Sequence, residues 1–248
     1  MSGHSKWASI KHKKAAIDAK RGKVFTKLIR EITVAAKNGG GDPATNPRLR
    51  TAIQSAKAAN MPSDNIERAI KKGTGEMEGV TYEEVVYEGY GPQGVAILVQ
   101  CLTDNKNRTA SEIRNIFGKT GGSMAGAGSV AWIFEKKGFL VVPETAATVD
   151  ALMEIVLAAG AEDLTRSENK FEITTNPTGF EAVREALDKA GIHPEPAQIT
   201  MIPKNQVPVT PESARVVVRL IETLEEQDDV QNVYVNCDVP DEVMKEMA

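Results

Sequence analysis

The sequence predicts an α+β protein of three domains: a helical N-terminal domain and two ferredoxin-like-type α+β domains, one inserted into the other. Three observations lead there. Before Gly73 the apolar residues recur at helical spacing, and after Gly79 they alternate or run together in short stretches bounded by turn residues. Between Gly138 and Pro203 the order reads strand, helix, strand, strand, helix, strand, which is that of a split βαβ unit. A helix at 211–226 and a strand at 230–236 then have no home unless they complete the unit before the insertion. The expected domains are therefore 1–78, 79–134 with 205–248, and 135–204.

The elements follow in order. From Ala15 to Lys37 there is no proline and one glycine, Gly22, which marks a candidate bend. Val24, Phe25, Leu28, Ile29, Ile32 and Ala35 form one apolar stripe. At about 100° per residue Lys20, Lys23, Lys27, Arg30 and Lys37 fall in a separate arc, so the helix is expected to turn a basic face to solvent. Gly39-Gly40-Gly41 ends it. Asn46-Pro47 opens a second helix, with proline where its missing N–H costs nothing, and Ser63 is expected to cap a third. Tyr82–Tyr90 and Val95–Leu102 read as a hairpin across Gly91-Pro92-Gln93-Gly94. A helix at 108–119, a glycine-rich loop at 121–128 and a strand at 129–134 come next. The inserted unit takes strands at 139–142, 162–166, 170–174 and 198–202, and helices at 147–159 and 179–190.

Charge is segregated. Met1 to Lys72 holds 16 lysines and arginines against 5 acidic residues, a net of +11, and the remainder holds 14 against 29, a net of −15. A basic segment joined to an acidic body points to a polyanion partner. The longest clean apolar runs, Val95 to Val99 among them, are far short of the roughly 20 residues that span a bilayer. The first residues, Met1 to Lys6, lack the apolar core of a secretory signal, so a cytoplasmic protein with no membrane partner is expected.

Cys101 and Cys237 sit in apolar runs without the clustered spacing of a disulfide framework or a zinc site, and are expected in the core. Phe117-Gly118-Lys119-Thr120 ends like a phosphate-binding loop, but the required upstream glycine is Ile113 and a helix, not a strand, precedes it. Gly126-Ala127-Gly128 is followed by a strand, so it is no dinucleotide fingerprint. Its functional reading is close approach to a phosphate backbone. None of His4, His12 and His193 lies near a strand-end serine or cysteine in sequence. No catalytic residue, metal ligand, cofactor or small-molecule substrate is expected, and the acidic run from Glu225 to Asp229 reads as a solvated helix end. Lys137-Gly138-Phe139 begins like an RNA-binding strand signature, but Leu140 and Val141 break it and argue against base stacking on the sheet.

The strongest chemical signal is the N-terminal arm. Lys6, Lys11, His12, Lys13, Lys14, Lys20, Arg21 and Lys23 crowd one short stretch. Cations of this kind gain affinity by releasing counterions from phosphates, without reading sequence. Trp7 is placed to stack on an unpaired base or to staple the arm to the helices. With Lys27 and Arg30 these residues make the candidate nucleic-acid site. Arg108, Gly121, Gly122, Gly126 and Gly128 make a candidate second contact.

Several motifs carry a resemblance: Gly3-His4-Ser5-Lys6-Trp7, His12-Lys13-Lys14, Arg21-Gly22-Lys23, Asn60-Met61-Pro62, Arg68-Ala69-Ile70-Lys71-Lys72-Gly73, Tyr87-Glu88-Gly89-Tyr90-Gly91-Pro92 and Leu102-Thr103-Asp104-Asn105. With them the chain resembles the YebC family, whose mitochondrial relatives are translational activators of cytochrome oxidase. The resemblance implies three domains and a cytoplasmic, non-enzymatic protein. It implies either a DNA-binding transcriptional regulator or a ribosome-associated translation factor that relieves stalling at stretches such as proline runs. Contacts to phosphate alone would serve duplex DNA or ribosomal RNA, so either is an expected partner.

Overall fold

The computed structural model describes residues 21–167 and 169–246. Helix α1 (Arg21–Gly39) turns its apolar stripe inward, burying Ile32, Ala35 and Ala36. Gly22 lies within its first turn. Helix α2 (Pro47–Ala58) starts as the sequence predicts: Leu49 N–H donates to the Asn46 side chain, and Pro47 takes the first helical position. The Asn46 amide also donates to the carbonyls of Ala35 and Gly40, so this buried cap ties α2 to the end of α1. Helix α3 (Ser63–Thr74) departs from expectation. Ser63 is already helical, Pro62 precedes it, and no side chain caps the helix. A Cβ on Gly73 would lie 2.4 Å from Thr33 O and 2.7 Å from Ala36 Cβ, so glycine is what lets α3 cross α1.

Strands β1 (Glu83–Tyr90) and β2 (Ala96–Thr103) form the expected hairpin through a 3-10 turn, Pro92–Gly94. Helix α4 (Lys106–Lys119) and a short strand β3 (Ser123–Ala125) follow, the latter pairing with β1 inside the stretch expected to be loop. The expected strand at 129–134 is instead a 3-10 turn, Ala131–Ile133. The reason is local: the N–H groups of Val130 and Ala131, which a strand would give to a ladder, go to the Glu88 carboxylate. Strand β4 (Phe134–Pro143) therefore begins five residues earlier than the pattern suggested.

The chain continues with α5 (Val149–Ala158), β5 (Ala161–Ser167), β6 (Lys170–Thr175), α6 (Phe180–Lys189) and β7 (Ala197–Pro203). Its sheet runs β5-β6-β4-β7, antiparallel throughout, the strand order of a split βαβ unit. After β8 (Val207–Pro208), the chain returns in α7 (Pro211–Glu226) and β9 (Val230–Val235). Strand β9 pairs with β2 and completes a four-stranded sheet, β3-β1-β2-β9. Strand β10 (Cys237–Asp238) pairs with β8, and α8 (Asp241–Glu246) follows.

Three cores match this layout. One lies within the helices, around Ile32, Leu49 and Ala56. One lies between the first sheet and helices α4 and α7, around Ile97, Phe117 and Leu220. The third lies between the second sheet and helices α5 and α6, around Leu140, Leu152 and Leu187. A smaller cluster of Ala96, Leu98, Val130, Ile133 and Phe134, with Met201 and Tyr234, joins the two sheets. The α+β class stands as the sequence predicts. Among the described residues, no helix is long and apolar enough to cross a membrane.

Candidate nucleic-acid interface

Of the arm residues, Lys6, Trp7, Lys11, His12, Lys13, Lys14 and Lys20 lie outside the described residues, as does the side chain of Arg21. The rest of the basic face is described, and it is not turned wholly to solvent. Lys23 Nζ donates to Glu226 O at 2.8 Å, and Lys27 Nζ to Glu225 O at 2.7 Å. Arg30 donates to Asp228 O and forms an ion pair with Asp229 at 2.6 Å. The guanidinium also lies 5.3 Å from the centre of the Tyr82 ring. The physical cause is the end of α7. The last carbonyls of a helix lack intrahelical partners and carry the negative end of its dipole. Helix α7 has no basic residue in its own last turn, so α1 supplies the cations from another part of the chain. The acidic run from Glu225 to Asp229, expected to be a solvated helix end, is the receptor for this face.

At the centre of the contact is Asp229, 2% exposed. Besides Arg30, its carboxylate accepts from Thr109 Oγ1 at 2.7 Å, Arg108 at 3.0 Å and Thr103 Oγ1 at 3.2 Å. Burial pushes the carboxyl up, but the Thr109 hydroxyl and the guanidinium groups of Arg108 and Arg30 outweigh it and hold the group below its ordinary range. Lys23, Arg30, Arg108, Asp104, Glu112 and the 226–229 corner line an open cleft of ≈ 470 Å³. Nearby, Arg48 pairs with Glu31 of its own module and with Glu84 of β1. The helical module thus meets the body through ion pairs and hydrogen bonds.

The candidate second contact divides in two. Arg108 sits in the first turn of α4 and Gly121 just past its last, about 20 Å apart at ~1.5 Å per residue. Arg108 belongs to the Asp229 corner, and the glycines do not join it. The loop itself is held from below by Glu88, 5% exposed on β1. Glu88 accepts from Gly128 N–H at 2.6 Å through one carboxylate oxygen, and from Val130 at 2.6 Å and Ala131 at 2.8 Å through the other. Burial raises this carboxyl, and the three backbone donors more than reverse the shift. Gly121 and Gly128 adopt φ of +78° and +84°, the left-handed region. Gly122 is packed against Tyr90 O, Leu220 and Phe117, whereas a Cβ on Gly126 would meet nothing within 4 Å. The part of the loop open to a ligand is therefore its tip, from Gly126 to Gly128.

The other motifs resolve plainly. Lys119-Thr120 closes a helix, with the Thr120 hydroxyl donating to Ile116 O, so no phosphate loop forms there. A Cβ on Gly138 would collide with Thr175 and Phe180. Phe139 is buried with Val141, which removes it from any base-stacking surface. Cys101 and Cys237 are free and buried, and desolvation pushes both thiols up to about 12. The imidazole of His193 lies on the surface beside Asp188. Sequence reasoning passed over Lys57, Arg68, Lys71 and Lys72, all exposed on α2 and α3. Their distribution around two further helices hid them, because only the first helix offered a continuous arc.

A helical module carrying excess cations, docked on an acidic α+β body built around two antiparallel sheets, defines the class of protein. The chain belongs to the TACO1/YebC family. Residues 5–76 match its N-terminal domain and residues 82–237 its second and third domains. The chain is 61% identical over 246 residues to a protein of Desulfatibacillum aliphaticivorans named "Probable transcriptional regulatory protein", covering 99% of this chain and all of that one. A protein of Geobacter sulfurreducens with the same kind of name is 58% identical over the full length of both chains. The crystal structure of a conserved hypothetical protein from Aquifex aeolicus superposes with a TM-score of 0.79 at 50% identity, covering 90% of this chain and 93% of that one.

Proposed function

We propose that this protein regulates gene expression by binding nucleic acid through its basic helical module, as a cytoplasmic DNA-binding transcriptional regulator that catalyses no reaction. The observation that carries this reading is the charge division: +11 through Lys72 against −15 in the remainder. The names of the relatives support a regulatory role. Binding runs through the arm residues with Trp7, through Lys23, and through the exposed cations of α2 and α3. Lys23 remains exposed, and its ammonium has donors to spare beyond Glu226 O. Lys27 and Arg30 act as the joint that positions the module. The three-domain division at 78/79, 134/135 and 204/205 is part of the same proposal, with the body presenting a second surface to partners.

The test is a competition between promoter-length duplex DNA and intact ribosomes at roughly physiological salt, where nonspecific phosphate binding is weak. Preference for DNA supports the proposal. Preference for ribosomes replaces it with a translation factor that contacts ribosomal RNA. Lys13→Glu, Lys14→Glu, Lys71→Glu and Lys72→Glu combined spare the α1–α7 joint. Affinity for nucleic acid that survives all four refutes the basic-module reading.

A further inference from the structure

The open tip of the glycine-rich loop has aromatic company. Trp132, on the 3-10 turn after the loop, is 65% exposed, and Tyr90, at the end of β1, is 36% exposed. Both reach the same atom: the indole N–H donates to Ser129 O at 3.1 Å and the Tyr90 hydroxyl to the same oxygen at 3.2 Å. Their polar ends are thereby pinned while the indole face stays in water. Ser129 is itself fixed, since Glu88 grips Gly128 on one side of it and Val130 on the other. An exposed tryptophan held by a hydrogen bond on a braced turn loses little freedom when something stacks on it. That is the arrangement in which aromatic rings serve recognition.

The surroundings indicate the occupant. Beside the rings, Gly126 leaves open space where any side chain would stand, so a phosphodiester can approach the backbone there. Lys119 ends α4 just before the loop, and Lys204 donates its backbone N–H to Ile133 O beside Trp132. Both lysines are exposed. A pinned indole, an accessible backbone and flanking cations together suit one flexible chain of bases and phosphates.

We propose that Trp132, with Tyr90 beside it, is a stacking site for an unpaired base of single-stranded nucleic acid, whose backbone runs over Gly126–Gly128. This site is separate from the basic helical module, and either can fail without the other. The test uses the full chain with Trp7→Phe throughout, so that tryptophan emission reports Trp132 alone. The probes are a single-stranded RNA of about ten nucleotides and an abasic phosphodiester of equal length, in roughly 150 mM salt. The base-bearing strand is expected to quench the emission and the abasic strand to leave it unchanged. Trp132→Ala should weaken the base-bearing strand about five- to a hundredfold, the range of single base–aromatic stacks. It should leave abasic binding and the thermal midpoint unchanged, and Trp132→Phe should restore most of the affinity. Equal affinity of the two strands, no quenching, or indifference to Trp132→Ala overturns the proposal. Quenching by a proline-rich peptide but not by RNA also overturns it and gives the surface to a protein partner.

Discussion

Two buried carboxylates organise this molecule, and they are satisfied in opposite ways. Glu88 is held by three backbone N–H groups from one stretch of chain, Gly128 to Ala131. Asp229 is held by side chains gathered from α1, β2 and α4: Arg30, Thr103, Arg108 and Thr109. Backbone donors are the same whatever residues carry them, so the Glu88 bracket depends on chain path and on a single acid. Side-chain donors are specific residues on separate elements, so the Asp229 corner couples the helical module to the body. The difference teaches that one buried charge shapes a loop while the other joins two units.

The largest effect should come from Asp229→Ala. It leaves half-buried Arg30 without its carboxylate partner, and leaves Thr103 and Thr109 without their shared acceptor, and should cost about 3 kcal/mol in urea unfolding, the lower end for loss of one member of a buried ion pair. Hydrogen exchange should quicken across α1 as well as at the corner. If protection in α1 is unchanged, Asp229 is not the joint. Glu88→Gln should cost less, about 1–3 kcal/mol. One oxygen can still serve Val130 and Ala131, while the new amide meets the Gly128 N–H donor to donor. Its exchange changes should stay within 121–133, and spread into α1 would erase the contrast between the two sites.

Acid should weaken both sites. Each carboxyl is held below its unfolded value near 4. Each therefore contributes stability that is complete above that value and is lost as pH falls through the lower folded value. Asp229→Asn and Glu88→Gln should each flatten the fall in stability below about pH 4. An unchanged slope in either variant would remove that group from the account. The smallest effect belongs to Arg108→Ala, about 0.5–1 kcal/mol, because this arginine is 43% exposed and solvent screens its pairs. Moderate salt should reproduce most of that loss in the unmodified protein.

Much of the fold was legible because it rests on local pattern. Asn46-Pro47 announced α2, the split βαβ order announced the second sheet, and the orphan helix and strand after Pro208 required the chain to return to the first. The failures were failures of partner. Ser129–Phe134 has the composition of a strand, yet Glu88, some forty residues earlier, takes the N–H groups a ladder would need. The basic arc of α1 was read correctly as an arc, but no periodicity reveals that the end of α7, about 200 residues later, lacks cations of its own. The opposed charges of the two parts were visible from the start. They point to a polyanion partner, and attraction within the chain is an equal consequence that composition alone does not separate from it.

By itself the sequence determined most of the elements, their amphipathic faces, the α+β class and the charge division, because each depends on residues within a few turns or strands of one another. Only the tertiary structure decided which buried charges meet, which cations are spent on holding the units together, and that Trp132 and Tyr90 converge on Ser129. Those depend on contacts between distant segments, whose geometry is set by how the cores pack and not by any spacing along the chain.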